Sequence, residues 1–99
     1  MWQELARKIS DSRMSACAVE EEATNLLAGI RVPRYRKVVA ESLFTVCMVE
    51  LFKGRAPLMG LAATCALIIG KAEKTLEMFR EWYGDSVPDG IAIALSTKT

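Results

Sequence analysis

The sequence contains no histidine, and this absence narrows the chemistry open to the protein. Histidine is the usual general base of enzymes, the commonest metal ligand and part of the Glu-x-x-His motif of helical di-iron bundles. Without it, a serine or cysteine nucleophile would have to be activated by a lysine or a carboxylate alone. We therefore expect no catalytic residue, no metal site and no enzymatic activity.

Glycine-rich phosphate loops are also missing. Gly54, Gly60 and Gly70 are scattered and lack the spacing and the lysine of such a motif. The one acidic run, residues 20–22, fans through about 200° on a helix, because successive residues turn by about 100°, so its carboxylates cannot converge on a metal. This run is either a solvated face or a surface for a partner's basic patch. We expect no cofactor.

Cysteine is scarce, with three residues in the chain. Cys17, Cys47 and Cys65 are odd in number, widely spaced and embedded in apolar periodic segments, which is typical of neither a disulfide framework nor a zinc site. We predict that all three are small buried hydrophobic residues.

Long apolar runs are absent as well. The longest stretch without a charge, residues 56–70, is shorter than the roughly 20 residues that a bilayer requires. The first residues are polar and periodic, unlike a signal peptide. We therefore expect a cytoplasmic protein without a membrane partner.

The chain has 99 residues, of which 52% are apolar and 25% are charged, and its net charge is +1. This length and composition predict one globular domain spanning residues 1–99. Apolar residues recur every three or four positions and predict helices over 2–28, 33–53 and 57–83. Prolines fall in first turns and glycines follow last turns. The predicted fold class is all-α: a small bundle of three long helices plus a short C-terminal element.

Three local alternatives stay open at this point. The sequence "SDS" at residues 10–12 offers N-cap chemistry, which allows the first helix to break or restart there. The apolar run 43–52 is compatible with a strand, although no turn signal separates it from its flanks. In the tail, residues 86–99, the spacing of a capping box favours a helix, whereas the alternation of Ile91, Ile93 and Leu95 favours a strand.

The second and third predicted helices lack a polar face. Residues 43–52 contain only two polar side chains, and residues 58–70 contain no charge. A helix that is apolar all round is buried all round, and we expect three or four helices of one chain to be too few to enclose both. The sequence therefore predicts a homo-oligomer, most simply a twofold dimer. Because small residues recur every fourth position and allow close helix approach, the expected interface is Gly60, Ala63, Thr64 and Leu67.

A basic corner stands out in "GIRVPRYRK", residues 29–37. It comprises Arg31, Arg34, Tyr35, Arg36 and Lys37. Each exposed cation in the first turn of a helix opposes the helix dipole by about 0.3 to 1 kcal/mol, so local stability does not explain the arrangement. Free amides of the same turn face the same space, and together they could bind a phosphate or carboxylate.

Three interpretations of the basic corner remain. Its arginine side chains could lie over the loop and pair with carboxylates such as Glu41. The carboxylates of the first helix are further possible partners in this interpretation. Alternatively, the arginines could bind an acidic protein partner, or they could bind nucleic acid. A net charge close to zero argues against strong non-specific binding to nucleic acid.

The function predicted from these patterns is a small non-enzymatic helical interaction module, such as an adaptor, a chaperone-like factor or a regulator. It would act by self-association and by docking another protein. The alternative is a dimeric nucleic-acid-binding regulator that uses the basic corner, Arg31 to Lys37.

Overall fold

The computed structural model describes residues 2–97, most of which are helical. Within this range the α-helices are α1 (Trp2–Ser10), α2 (Ala16–Gly29), α3 (Pro33–Phe52), α4 (Met59–Ile69), α5 (Ala72–Tyr83) and α6 (Asp89–Ser96), with single 3-10 turns at Ala56–Leu58 and Gly84–Ser86. No strand occurs in the same range. The all-α prediction is confirmed, and the strand alternative for residues 43–52 is wrong.

The first predicted helix is two helices, with a break where the capping residues suggested one. α1 ends at Ser10, and α2 begins after Ser15, whose hydroxyl accepts a hydrogen bond from the amide of Ala18 at 3.4 Å. Between them, the Asp11 carboxylate accepts hydrogen bonds from the amide and the guanidinium of Arg13, at 3.0 and 3.1 Å. These bonds hold the turn that redirects the chain.

The third predicted helix divides at Gly70, which the sequence interpretation missed. Gly70 has φ of 75° and ψ of 30°, in the left-handed region, and its amide donates to the carbonyl of Ala66. Glycine adopts this conformation without the steric penalty that a Cβ brings. Of the three long helices predicted, only the second persists as a single element, α3.

The tail forms a helix rather than a strand. α6 covers Asp89–Ser96, and its Leu95 is fully buried. α6 packs against α4 and α5. Lys98 and Thr99, which belong to the 86–99 segment of the sequence prediction, lie outside the described residues.

α4 lies at the centre of the fold. α2, α3, α5 and α6 pack around it, while α1 lies against α2 and α3. Four α4 side chains, Leu61, Ala62, Cys65 and Ala66, have no exposed surface. Most of this charge-free helix is thus covered by its own chain, although Leu67 stays 43% exposed. One chain therefore covers more of α4 than the sequence led us to expect.

The cysteine prediction holds for two of three residues. Cys47 and Cys65 are buried, whereas Cys17 is exposed. Position 17 falls on the outer side of α2, whose core-facing residues are Val19, Ala23 and Leu27. Burial raises the pKa of the Cys65 thiol to about 12 and raises the pKa of Cys47 further.

An ion pair between Glu50, near the end of α3, and Arg55, in the α3–α4 connection, fixes this connection to the turn between α1 and α2. Glu50 is 5% exposed, and its carboxylate lies 3.2 Å from the guanidinium of Arg55. The same guanidinium donates to the carbonyl of Ile9, at the end of α1, and to the carbonyl of Met14. Arg55 thereby satisfies carbonyls that the α1–α2 turn leaves without a partner.

In residues 2–97, no helix has the length and apolarity needed to span a membrane.

Candidate functional site

The basic corner lies where α2 gives way to α3. Val32 occupies the N-cap position of α3, and its side chain cannot cap the helix. The amide of Arg36 makes the first helical bond, to the carbonyl of Val32, at 2.9 Å. The amides of Arg34 and Tyr35 precede that bond and have no intrahelical acceptor. Positive charge and free donors therefore share one end of α3.

Three cations of this corner have no carboxylate partner in the described chain. Arg31, Arg34 and Lys37 are exposed. The ion pairs found within residues 2–97 are Arg7–Glu4, Lys8–Glu22, Arg13–Asp11, Lys53–Glu50 and Arg55–Glu50. The alternative in which the corner pairs with Glu41 is not observed among them. The corner is available to a ligand or partner of opposite charge.

Arg36 differs from its neighbours because it serves the fold. It is partly buried, and its Nη2 donates to the carbonyl of Ile30 at 2.6 Å, closing the α2–α3 loop. Its Nε atom is buried and has no hydrogen-bond partner in the described residues. Arg36 thus lies against the loop, as one interpretation expected, but bonds a carbonyl and not a carboxylate. Arg31, Arg34 and Lys37 are left as the free cations.

A cleft of about 320 Å³ opens beside Tyr35. Its walls come from α1, α2, the α2–α3 loop and α3: Trp2, Asn25, Leu26, Gly29, Ile30, Tyr35 and Val39. The lining is largely apolar, and Tyr35 belongs to both the cleft and the basic corner. The corner is therefore bordered by an apolar recess.

The four residues expected to form an oligomer interface do not form one open surface. Ala63 is 5% exposed and packs in the core, whereas Leu67 is 43% exposed. A Cβ placed on Gly60 would lie 2.8 Å from a carboxylate oxygen of Glu20, so α2 already covers this glycine. Thr64 borders a shallow cleft between α2 and α4. Of the four, only Thr64 and Leu67 offer accessible side chains.

The larger unpartnered apolar surface lies on α3. We call it the outer stripe: Tyr35, Val38, Ser42, Thr45, Val49 and Phe52. Its four large members are 48% to 74% exposed, with Phe52 the most exposed. The six members together recur in steps of three and four residues, which is the spacing of a helix–helix seam. The buried residues of α3 lie on the other side of the helix.

The two hydroxyl residues in the middle of the outer stripe are internally satisfied. Ser42 donates to the carbonyl of Val38 at 3.1 Å, and Thr45 donates to the carbonyl of Glu41 at 3.0 Å. A hydroxyl that already donates within its own helix can lose contact with water at little penalty. The middle of the stripe can therefore be covered by another helix.

An apolar groove of about 400 Å³ borders the C-terminal half of the outer stripe. It runs between α3 and α5 and is lined by Phe44, Thr45, Met48, Val49, Phe52, Met78 and Trp82. The rings of Phe52 and Trp82 meet edge to face, with centroids 5.7 Å apart. Among residues 2–97, no charged side chain lines this groove.

Sequence reasoning missed the outer stripe because it treated residues 43–52 as apolar all round. The signal was present, since Tyr35, Val38, Val49 and Phe52 fit one three-and-four spacing while Leu43, Cys47 and Leu51 fit another. The two sets lie on different sides of α3, and only the second is covered by the chain itself.

No protein-family model matches the chain, and comparison with curated proteins and with solved structures also returned no match. The outer stripe, the groove and the basic corner are therefore interpreted from their own geometry.

Proposed function

We propose that the protein is a small, non-enzymatic helical interaction module whose first partner is a second copy of itself. The observation that carries this proposal is the uncharged apolar surface made by the outer stripe and the α3–α5 groove. A monomer rarely leaves a contiguous surface of this kind in water, and such patches commonly mark protein–protein contacts. A twofold contact there would use the same surface of both copies.

The experiment is sedimentation equilibrium at micromolar concentration, with two matched substitutions. Val49→Asp places a charge in the outer stripe, and Leu67→Asp places one on α4, in the interface first expected from the sequence. Both side chains are exposed, at 49% and 43%, so both variants should keep their helical circular dichroism. We expect a dimer for the wild type and for Leu67→Asp, and a monomer for Val49→Asp.

Other outcomes separate the possible surfaces. A monomer for Leu67→Asp together with a dimer for Val49→Asp would move the interface to α4. A wild-type protein that sediments as a monomer up to about 100 μM would overturn self-association, since a dimer weaker than this has less than about 5.5 kcal/mol of binding free energy.

A second candidate function is a dimeric nucleic-acid-binding regulator, favoured by the three free cations at the start of α3. Arg31, Arg34 and Lys37 could contact phosphates, and the ring of Tyr35 could stack on a base. Fluorescence anisotropy with single- and double-stranded oligonucleotides, repeated at rising salt, tests it. Binding that is lost in the combined glutamine variant of the three cations would support it, and binding unchanged in that variant would contradict it.

Roles as an adaptor, a chaperone-like factor or a regulator, and a place in the cytoplasm, remain predictions from the sequence. So does the docking of a different protein.

A further inference from the structure

The two ends of the outer stripe carry opposite charge. At the N-terminal end lie the free cations Arg31, Arg34 and Lys37. The C-terminal end lies against the end of α5, because the Tyr83 hydroxyl donates to the carbonyl of Leu51 at 2.6 Å and the Phe52 ring packs on Trp82.

Two exposed carboxylates lie close in sequence to the α5 residues that make this contact. Glu81 directly precedes Trp82 and Asp85 follows it by three residues, and neither forms an ion pair within residues 2–97. Lys53, which follows Phe52, lies 3.5 Å from the carboxylate of Glu50, which also pairs with Arg55, so one positive charge remains beside these two carboxylates and they outnumber it. Each copy of the chain therefore has a basic end and an acidic end on the same apolar surface.

We propose that two copies pair through α3 in antiparallel orientation, so that the basic corner of each copy lies against the acidic end of the other. This inference rests on the proposed self-association and adds the orientation of the two copies. A twofold axis that crosses α3 between Ser42 and Thr45 brings Tyr35 opposite Phe52 of the second copy and Val38 opposite Val49.

The side chains along the stripe fit this register. The smallest members, Ser42 and Thr45, meet at the axis, where they allow the two helices to approach closely and where their hydroxyls need no outside partner. The aromatic members lie at the two ends. Tyr35 of one copy then reaches the groove beside Phe52 and Trp82 of the other, and this groove has room for a ring at about 400 Å³.

The helix dipoles favour the same orientation. Arg31, Arg34 and Lys37 oppose the positive N-terminal end of their own helix. In an antiparallel pair they lie beside the negative C-terminal end of the partner α3, so an arrangement that is unfavourable in one chain becomes favourable in two. Parallel pairing would instead bring the two basic corners together, and like charges in contact weaken association.

A charge-exchange experiment tests the orientation. One variant combines Arg34→Glu and Lys37→Glu, and the other combines Glu81→Lys and Asp85→Lys. Alone, each brings like charges together at both ends of the dimer, and we expect its dimer dissociation constant to rise by about tenfold or more. Mixed in equal amounts, the two variants place opposite charges at both ends, so a heterodimer of near wild-type affinity should form.

The outcomes distinguish this inference from the proposal on which it rests. A wild-type dimer whose two charge variants form no heterodimer tighter than their homodimers overturns the antiparallel pairing and leaves self-association standing. A monomeric wild-type protein overturns both. Sedimentation velocity with one variant carrying a fluorophore reads the heterodimer directly.

A distance measurement gives an independent reading. Lys53→Cys in a Cys17→Ser background carries a single accessible spin label, because Cys47 and Cys65 are buried. The antiparallel register separates the two labels by roughly 30 Å along the helix axis, at 1.5 Å per residue, whereas parallel helices would hold them within roughly 20 Å. A short distance in the dimer contradicts the antiparallel register.

Discussion

The guanidinium of Arg55 lies 3.2 Å from the carboxylate of Glu50, and both groups are largely withdrawn from solvent. Removing Arg55 leaves the buried Glu50 carboxylate with only the exposed ammonium of Lys53, 3.5 Å away, as a charged partner. We expect Arg55→Met to lower the free energy of unfolding by about 3 to 5 kcal/mol, because it also removes the donors to Ile9 and Met14.

Comparison variants separate these contributions. Glu50→Gln keeps the size of the side chain and should cost less than Arg55→Met. The combination of the two should be less destabilising than the sum of the single effects, since no buried charge is left unpaired. Chemical denaturation of the four proteins measures this coupling, and strict additivity would contradict an energetically important ion pair.

Replacing two glycines by alanine, one within α4 and one at its end, should change the free energy of unfolding in opposite directions. Gly60 lies within α4, and its added Cβ would meet only the end of the flexible Glu20 side chain. We expect Gly60→Ala to raise the free energy of unfolding by about 0.5 to 1 kcal/mol through helix propensity. Gly70→Ala should lower it by about 1 kcal/mol, because its φ of 75° strains a residue with a Cβ. Thermal denaturation of both variants gives the comparison, and equal effects would contradict it.

Thiol reactivity should divide the three cysteines. Cys17 is exposed, whereas burial raises the pKa of Cys65 to about 12 and that of Cys47 higher still, so these two hold almost no thiolate at pH 8. We expect a thiol reagent to label one cysteine quickly in the native protein and three after unfolding. Cys17→Ser should abolish the fast phase. Fast labelling that persists in this variant would mean that a core cysteine is accessible.

Neighbouring arginines of the basic corner should differ in their effect on stability. Arg36 donates to the carbonyl of Ile30 at 2.6 Å, while Arg34 is exposed and has no ion-pair partner in the described residues. We expect Arg36→Gln to lower the free energy of unfolding by about 1 kcal/mol and Arg34→Gln to leave it unchanged or slightly higher. Urea denaturation at low protein concentration, where association does not contribute, measures the difference. Equal losses for the two variants would place Arg34 in the fold as well.

The sequence predicted helix type better than helix extent. Periodic apolar spacing and the prolines defined α3 closely, and the hydroxyl residues near position 12 indicated the α1–α2 break. The division at Gly70 could not be foreseen, because periodic apolar positions continue on both sides of it and no proline marks the stop. The structure shows that the chain turns at Gly70, which adopts a left-handed conformation and donates its amide to the carbonyl of Ala66.

The candidate surfaces show the same limit. The basic corner was visible as a local cluster of charges, but its split into Arg36 and three free cations depends on how the loop closes around Ile30. The outer stripe was hidden because a charge-free run does not say which side of a helix its own chain will cover. That choice is made by the helices that pack on α3, which are chiefly α4 and α1.

Arg55 also has a consequence for the order in which the chain folds. It completes a turn whose carbonyl groups belong to Ile9 and Met14, which precede it by 46 and 41 residues. On a ribosome, α1 and α2 are synthesised before Arg55. Until α3 and Arg55 have been synthesised, the carbonyls of Ile9 and Met14 can accept hydrogen bonds from water but not from this arginine. Contacts of this sequence separation form late, so a substitution of Arg55 should accelerate unfolding while leaving the refolding rate almost unchanged.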